Sequence, residues 1–232
     1  MRTLRYAFIK SLPVMFGYLF LGIAFGIVLT DEGFGPLWAA LMSVFVYAGS
    51  MQFVMVPLMA SGASIATMLL MTLFVNIRHI FYGLSFTESF SKMRTKLYMI
   101  FGLTDETYSV LTGCKTEDPE EKMRSSWFFI TLFDQLYWIT GSMLGAILGS
   151  FIPFDLSGID FSMTALFAVI LTEQILSGKK NAYVSALIGI LVSIVCLLIF
   201  GKEVFLIPTL IITVLFVASV NAFSGRKEAQ NG

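Results

Sequence analysis

His79 is the single histidine of this 232-residue chain. It sits beside Arg78 and close to Asn76, inside the apolar run Ala66-Thr-Met-Leu-Leu-Met-Thr-Leu-Phe-Val-Asn-Ile-Arg-His-Ile-Phe-Tyr-Gly-Leu-Ser85. Polar and ionisable side chains are costly in hydrocarbon, so within an apolar segment they face protein or a wet cavity. An imidazole titrates near neutrality and can relay protons. A guanidinium can grip a carboxylate through two parallel hydrogen bonds. Side by side, they suit the path of a small charged or zwitterionic solute.

Helical geometry separates these groups. Asn76, His79 and Gly83 fall on one face of a helix, and Arg78, Tyr82 and Ser85 on another. Only one set can line a central cavity. Arg78 reads in three ways: a hold on a substrate carboxylate, an ion pair with Asp105, Glu106 or Asp134, or a stem snorkelling to the cytoplasmic surface. His79 reads as a proton relay or as a neutral, hydrogen-bonded core residue.

Three more constellations carry chemistry. Asp134, Trp138, Gly141, Gly145 and Gly149 form one stripe at helical spacing. The glycines permit close helix approach, so Asp134 points into a bundle. A carboxyl there exchanges protons, binds an ammonium, or is held structurally by a neighbouring hydroxyl or amide. Segment 97–113 reads as an amphipathic helix whose polar face carries Asp105 and Glu106 with Gly102, Ser109 and Gly113. The two acids read as a site for a substrate ammonium or as acids at a membrane surface. Tyr47-Ala-Gly-Ser-Met-Gln52 puts small and polar residues in the middle of an apolar run. A helix break there exposes amides suited to a carboxylate; a continuous helix with a close-packing Gly49–Ser50 pair is the alternative. Glu173 and Gln174 precede Lys179 and read as interfacial.

The elements that must position these groups are helices in a membrane. Hydrophobic residues make up 57% of the chain and charged ones 13%, and the mean hydropathy is +0.84. About 20 apolar residues of helix span a bilayer core. Lipid supplies no hydrogen-bond partners, and the runs here are long and lack a period of two, which predicts helices and not barrel strands. Candidate segments are 14–30, 36–60, 64–86, 97–113, 127–150, 161–177, 182–200 and 203–222. The expected fold is all-α: a polytopic helix bundle of six to eight membrane segments in a single domain, residues 1–232. The start of the chain reads as an uncleaved first helix.

Arg2, Arg5 and Lys10 put the N-terminus in the cytoplasm under the positive-inside rule. Asp31, Glu32, Asp155 and Asp160 then fall outside, and Lys122, Arg124, Lys179, Lys180, Arg226 and Lys227 inside. Lys92, Arg94 and Lys96 disagree if all eight segments span. They agree if segments 36–60 and 97–113 are re-entrant or broken, and both topologies stay open. Gly22 and Gly26 recur as Gly145 and Gly149, a faint internal repeat over about 14–113 and 127–222.

Net charge is zero, with 15 basic and 15 acidic residues, and no basic patch points to nucleic acid. Cys114 and Cys196 lack metal-ligand spacing and read as packing residues. No phosphate loop, nucleophile elbow or zinc spacing appears, so no enzyme activity, cofactor or metal is expected.

Several words resemble the AzlC family of bacterial branched-chain amino acid permeases. They are Gly22-Ile-Ala-Phe-Gly26, Tyr47-Ala-Gly-Ser-Met-Gln-Phe53, Asn76-Ile-Arg-His-Ile-Phe-Tyr-Gly83, Thr104-Asp-Glu-Thr-Tyr108, Trp138-Ile-Thr-Gly-Ser-Met-Leu-Gly145 and Gly158-Ile-Asp-Phe-Ser-Met-Thr-Ala-Leu-Phe167. The match runs in order from about residue 10. The resemblance implies a large transporter subunit in the bacterial cell membrane, associated with export of valine, leucine, isoleucine and analogues, and a small multi-span partner of the AzlD type. On this reading Tyr47, Gly49, Ser50, Gln52, Asn76, Arg78, Asp105 and Glu106 are candidate substrate contacts, and His79 and Asp134 candidate proton carriers. A structural or regulatory membrane subunit and a channel for small solutes are the alternatives.

Overall fold

The computed structural model describes residues 2–114, 120–151 and 180–205 continuously, and 161, 165, 168, 171–172, 176, 208–209, 211–213 and 215–216 singly or in short pieces. They fall into two compact units, Met1–Thr164 and Ala165–Gly232. Among the described residues the regular structure is helical throughout. Most of segments 161–177 and 203–222, the charges at Asp155, Asp160, Lys179, Arg226 and Lys227, and Glu173 and Gln174 lie outside the described residues. So does most of the word from Gly158 to Phe167, and with it much of the second half of the repeat.

In the first unit the helices are α1 (Arg2–Asp31), α2 (Pro36–Phe45), α3 (Gly49–Ala60), α4 (Ile65–Ser91), α5 (Lys96–Phe101), α6 (Asp105–Gly113) and α7 (Glu120–Phe151). Two stretches of described helix, Thr3–Asp31 and Ile65–Ser91, are long and apolar enough to cross a membrane. Segment 127–150 lies inside α7. The second unit contains α8 (Lys180–Val204), kinked at Gly201, where φ is 73°. That backbone conformation suits glycine, which has no Cβ to clash. Cys114 and Cys196 are both buried and unpaired by any disulfide.

Both segments for which a break is one of the two open readings are interrupted. Segment 36–60 is two helices separated by Val46, Tyr47 and Ala48. Pro36 opens α2, where its missing N–H costs nothing. Tyr47 ends α2 with φ at 40°, and its N–H reaches the Met42 carbonyl at 3.1 Å. A left-handed conformation costs a non-glycine residue about 1–2 kcal/mol, so the surroundings must hold it. Segment 97–113 is likewise α5 and α6, separated by Gly102, Leu103 and Thr104. This corrects the continuous polar face that would have joined Gly102 to Asp105. The Thr104 hydroxyl caps α6, accepting the Thr107 N–H at 3.3 Å. Asp105 and Glu106 open that helix, where its dipole favours negative charge.

α1 and α7 cross through their glycines. A Cβ on Gly26 would run into the Ser142 carbonyl, and one on Gly145 into the Ile23 carbonyl. At Gly141 the Leu19 carbonyl would stand 2.9 Å away. The two backbones therefore touch, as small residues four apart allow. The recurrence of paired glycines has this direct packing reason. At one end of the unit, Phe86 and Phe90 of α4 stack with ring centroids 5.0 Å apart. Both meet the Trp127 ring of α7 edge-on, closing a core that includes Met99, Leu103, Leu111 and Ile130.

Candidate substrate cavity and its polar frame

One turn of α7 holds all four half-helices. Asp134 Oδ2 accepts the Thr107 hydroxyl of α6 at 2.8 Å. Gln135 donates through Nε2 to the Val44 carbonyl of α2 at 3.3 Å and accepts the Tyr98 hydroxyl of α5 at 2.8 Å. Trp138 donates its indole N–H to Gln52 Oε1 of α3 at 2.8 Å. A broken helix leaves backbone carbonyls unpaired at its end, and buried ones need partners. Gln135 supplies one for Val44. Asp134 and Gln52 are fully buried. Gly49 lets the Trp138 ring approach the start of α3, since a Cβ there would sit 3.0 Å from the ring.

The two breaks face each other. The rings of Tyr47 and Phe101 lie 6.0 Å apart. Between the breaks and α4 is a cavity of about 150 Å³, lined by Val46, Tyr47, Ala48, Asn76, His79, Ile100, Phe101 and Thr104. An apolar cavity of roughly 150 Å³ accepts a benzene-sized guest. The wall of this one includes the polar residues Tyr47, Asn76, His79 and Thr104. The Tyr47 hydroxyl and Asn76 Oδ1 are buried and have no hydrogen-bond partner among the described residues. The His79 Nδ1 meets the Asn76 carbonyl at 3.1 Å. A carbonyl only accepts, so Nδ1 carries the proton there and Nε2 is left for another contact.

The other face of α4 closes the frame. Arg78 Nη2 donates to Ser50 Oγ at 2.7 Å and pairs with Asp105 Oδ2 at 2.8 Å. The second Asp105 oxygen accepts the Tyr82 hydroxyl at 2.6 Å. Of the readings open for Arg78, the structure realises the ion pair, with Asp105 as its partner. Arg78 Nε is buried and unpartnered among the described residues. Arg78 and Asp105 are the chain neighbours of His79 and Thr104, both in the cavity wall.

Glu106 turns elsewhere. Tyr18 of α1 donates its hydroxyl to Glu106 Oε2 at 2.7 Å and lies 2.6 Å from Thr104 Oγ1. Thr104 in turn lies 3.1 Å from Thr107 Oγ1.

The structure thus gathers Tyr47, Asn76 and His79 at the cavity, and Ser50, Arg78 and Asp105 at the adjoining ion pair. Gly49 and Gln52 pack on Trp138, and Glu106 and Asp134 end one chain of hydroxyls. The sequence reading did not single out Tyr18, Tyr98, Thr107 or Gln135. The usable signal for Thr107 was its place three residues after a capping threonine. A tyrosine in an apolar helix gives no comparable signal.

Short apolar half-helices, a buried polar frame and long apolar helices define a helical membrane protein with a polar interior. The chain belongs to the AzlC family: the family model described as "AzlC protein" matches residues 13–152. It is 40% identical over 210 residues to the "Branched-chain amino acid transport protein AzlC" of Bacillus subtilis (strain 168), covering 89% of this chain and 81% of the relative. It is 42% identical over 205 residues to an "Uncharacterized membrane protein" of Haemophilus influenzae, covering 87% and 82%. To the "Inner membrane protein YgaZ" of Escherichia coli (strain K12) it is 30% identical over 193 residues, covering 79% and 78%. No solved structure matches the chain.

Proposed function

We propose that this chain is the large subunit of a secondary transporter that exports branched-chain or similar apolar amino acids in exchange for protons. The observation that carries the reading is the cavity between the two helix breaks, with the Arg78–Asp105 pair beside it. An amino acid is a zwitterion with an apolar side chain. Its carboxylate matches the unpartnered Nε edge of Arg78, and its ammonium matches Asp105. A small apolar side chain fits among Val46, Ala48, Ile100 and Phe101. The Tyr47 hydroxyl and Asn76 Oδ1 supply further polar contacts. In this scheme the substrate replaces an internal ion pair with two equivalent ones, so the charges are never left bare in a dry interior. His79 and Asp134 are the proton carriers.

The complex sits in the bacterial cytoplasmic membrane with its N-terminus inside. Its six to eight membrane segments include the two broken helices, and it works with a small multi-span subunit of the AzlD type. The name of the Bacillus relative supports the substrate class.

Inverted membrane vesicles containing the chain, with and without the small subunit, test this through uptake of labelled leucine under an imposed proton gradient. Uphill accumulation that needs both the gradient and the subunit is the expected result. Downhill equilibration alone would identify a channel. If an intact complex moves no amino acid, and Arg78→Ala impairs only assembly, the chain is a structural subunit.

A further inference from the structure

We propose that Glu106 and Asp134 are the two ends of a proton relay made of three protein hydroxyls, Tyr18, Thr104 and Thr107. The inference deepens the proton-exchange reading and rests on it for its role in transport, though its chemistry stands on geometry alone.

The chain is continuous. Glu106 Oε2, the Tyr18 hydroxyl, Thr104 Oγ1, Thr107 Oγ1 and Asp134 Oδ2 follow one another at 2.7, 2.6, 3.1 and 2.8 Å. It joins α1, the second helix break, α6 and α7. Its interior is dry: Tyr18, Thr104, Thr107 and Asp134 are all buried. Glu106 keeps partial exposure and is the outer end.

The donors show how it is poised. Tyr18 spends its proton on Glu106, and Thr107 spends its own on Asp134. Thr104 has one hydroxyl hydrogen and two neighbouring oxygens to receive it, so the direction of the chain turns there. When a proton arrives at Glu106, the Tyr18 hydroxyl first turns its hydrogen from Glu106 to Thr104; the carboxyl O–H then passes its hydrogen to Tyr18, Tyr18 to Thr104, Thr104 to Thr107, and Thr107 to Asp134. Each hydroxyl breaks one O–H bond and forms another, and ends neutral. Glu106 finishes as a carboxylate and Asp134 as a carboxylic acid. Rotation of the three hydroxyls resets the chain.

Thr104 also belongs to the wall of the cavity. A bound solute that takes its hydrogen bond therefore interrupts the relay at the turning point. The titratable groups facing Asp134 are Tyr18 of α1, Tyr47 of the first break, Tyr98 of α5 and Glu106 of α6. Asp105 and Arg78 are the charged groups facing Glu106. None of these except Tyr18 and Glu106 lies in the chain.

The test is a rapid change of pH on the full chain in lipid vesicles, followed by time-resolved infrared absorption of the carboxyl band that Asp134→Asn abolishes. Tyr18→Phe and Thr107→Val should slow that band by roughly a hundredfold, the scale of a lost positioned proton-transfer group. Thr107→Ser, which keeps the hydroxyl, should restore the rate. Tyr82→Phe, which removes a tyrosine–aspartate bond outside the chain, should leave it unchanged. A wild-type rate in Tyr18→Phe overturns the relay, as does an Asp134 band that never responds to pH. Leucine counterflow in the same vesicles separates the two readings: its absence in the wild type, with an intact Asp134 response, removes the leucine assignment and leaves the relay.

Discussion

Arg78 meets Asp105 through a single nitrogen, Nη2, which also serves Ser50 Oγ at 2.7 Å. One guanidinium corner thus ties α4 to the first turn of α3 and to the first turn of α6. The rest of the fork is not needed for this tie. A lysine ammonium has three donors and can reproduce it, but it cannot offer a second, parallel edge to a carboxylate. Arg78→Lys should therefore keep the yield and melting temperature of the protein near wild type. If the fork receives the substrate carboxylate, KM for leucine should rise by about tenfold or more, the worth of one charge-assisted hydrogen bond. Melting curves and uptake kinetics on the same preparation check both halves.

The Trp138–Gln52 bond makes a second prediction, about stability. Trp138→Phe removes the indole donor and leaves Gln52 Oε1 buried without it. Such an orphaned acceptor costs about 1–3 kcal/mol. Adding Gln52→Met removes the acceptor as well, and the double variant should regain much of the loss. A double-mutant cycle in detergent, read by thermal unfolding, measures the coupling. Strict additivity would show that the bond contributes nothing.

Tyr47 makes a prediction of the opposite kind. Its hydroxyl is buried and unpartnered among the described residues, so Tyr47→Phe should hold or raise the melting temperature. The same change should raise KM for leucine roughly fivefold if that hydroxyl binds substrate, since a net hydrogen bond is worth about 1 kcal/mol. Unchanged KM would remove Tyr47 from the substrate contacts.

Gly26 gives the sharpest packing test. A Cβ there would collide with the Ser142 carbonyl, a backbone atom that no rotamer change can move. Gly26→Ala should force α1 from α7 and destabilise the protein by about 1–3 kcal/mol or more. Gly17→Ala, with nothing within 4 Å of its added methyl, should fold as wild type. Size-exclusion profiles and melting temperatures of the pair decide it.

Much of this arrangement was legible from residue types and spacing. Small and polar residues at Tyr47–Gln52, and Thr104-Asp-Glu106 in a short segment, raised a helix break as one of two open readings, because such residues are out of place in a continuous apolar span. The glycine stripe beside Asp134 marked the buried side of α7, because helical spacing fixes which residues share a face. The choice among three partners for Arg78 was not legible. It depends on which helix lies opposite, a tertiary fact that periodicity does not contain. Tyr18 was missed for a related reason: an aromatic residue in an apolar helix looks the same whether it meets lipid or a carboxylate. The assumed polar face from Gly102 to Gly113 failed because a face exists only while the helix is continuous, and Thr104 starts a new one.

The glycine crossing of α1 and α7 also says which parts can move. Side chains packed between two helices can slide and change rotamer; two backbones in contact have nothing between them to rearrange. α1 and α7 therefore act as a chassis. Within the first unit, a motion that reshapes the cavity therefore falls to the half-helices and α4. Their polar ties to the chassis are a few individual hydrogen bonds, and the rest is side-chain packing such as Phe86 and Phe90 on Trp127, which can slide.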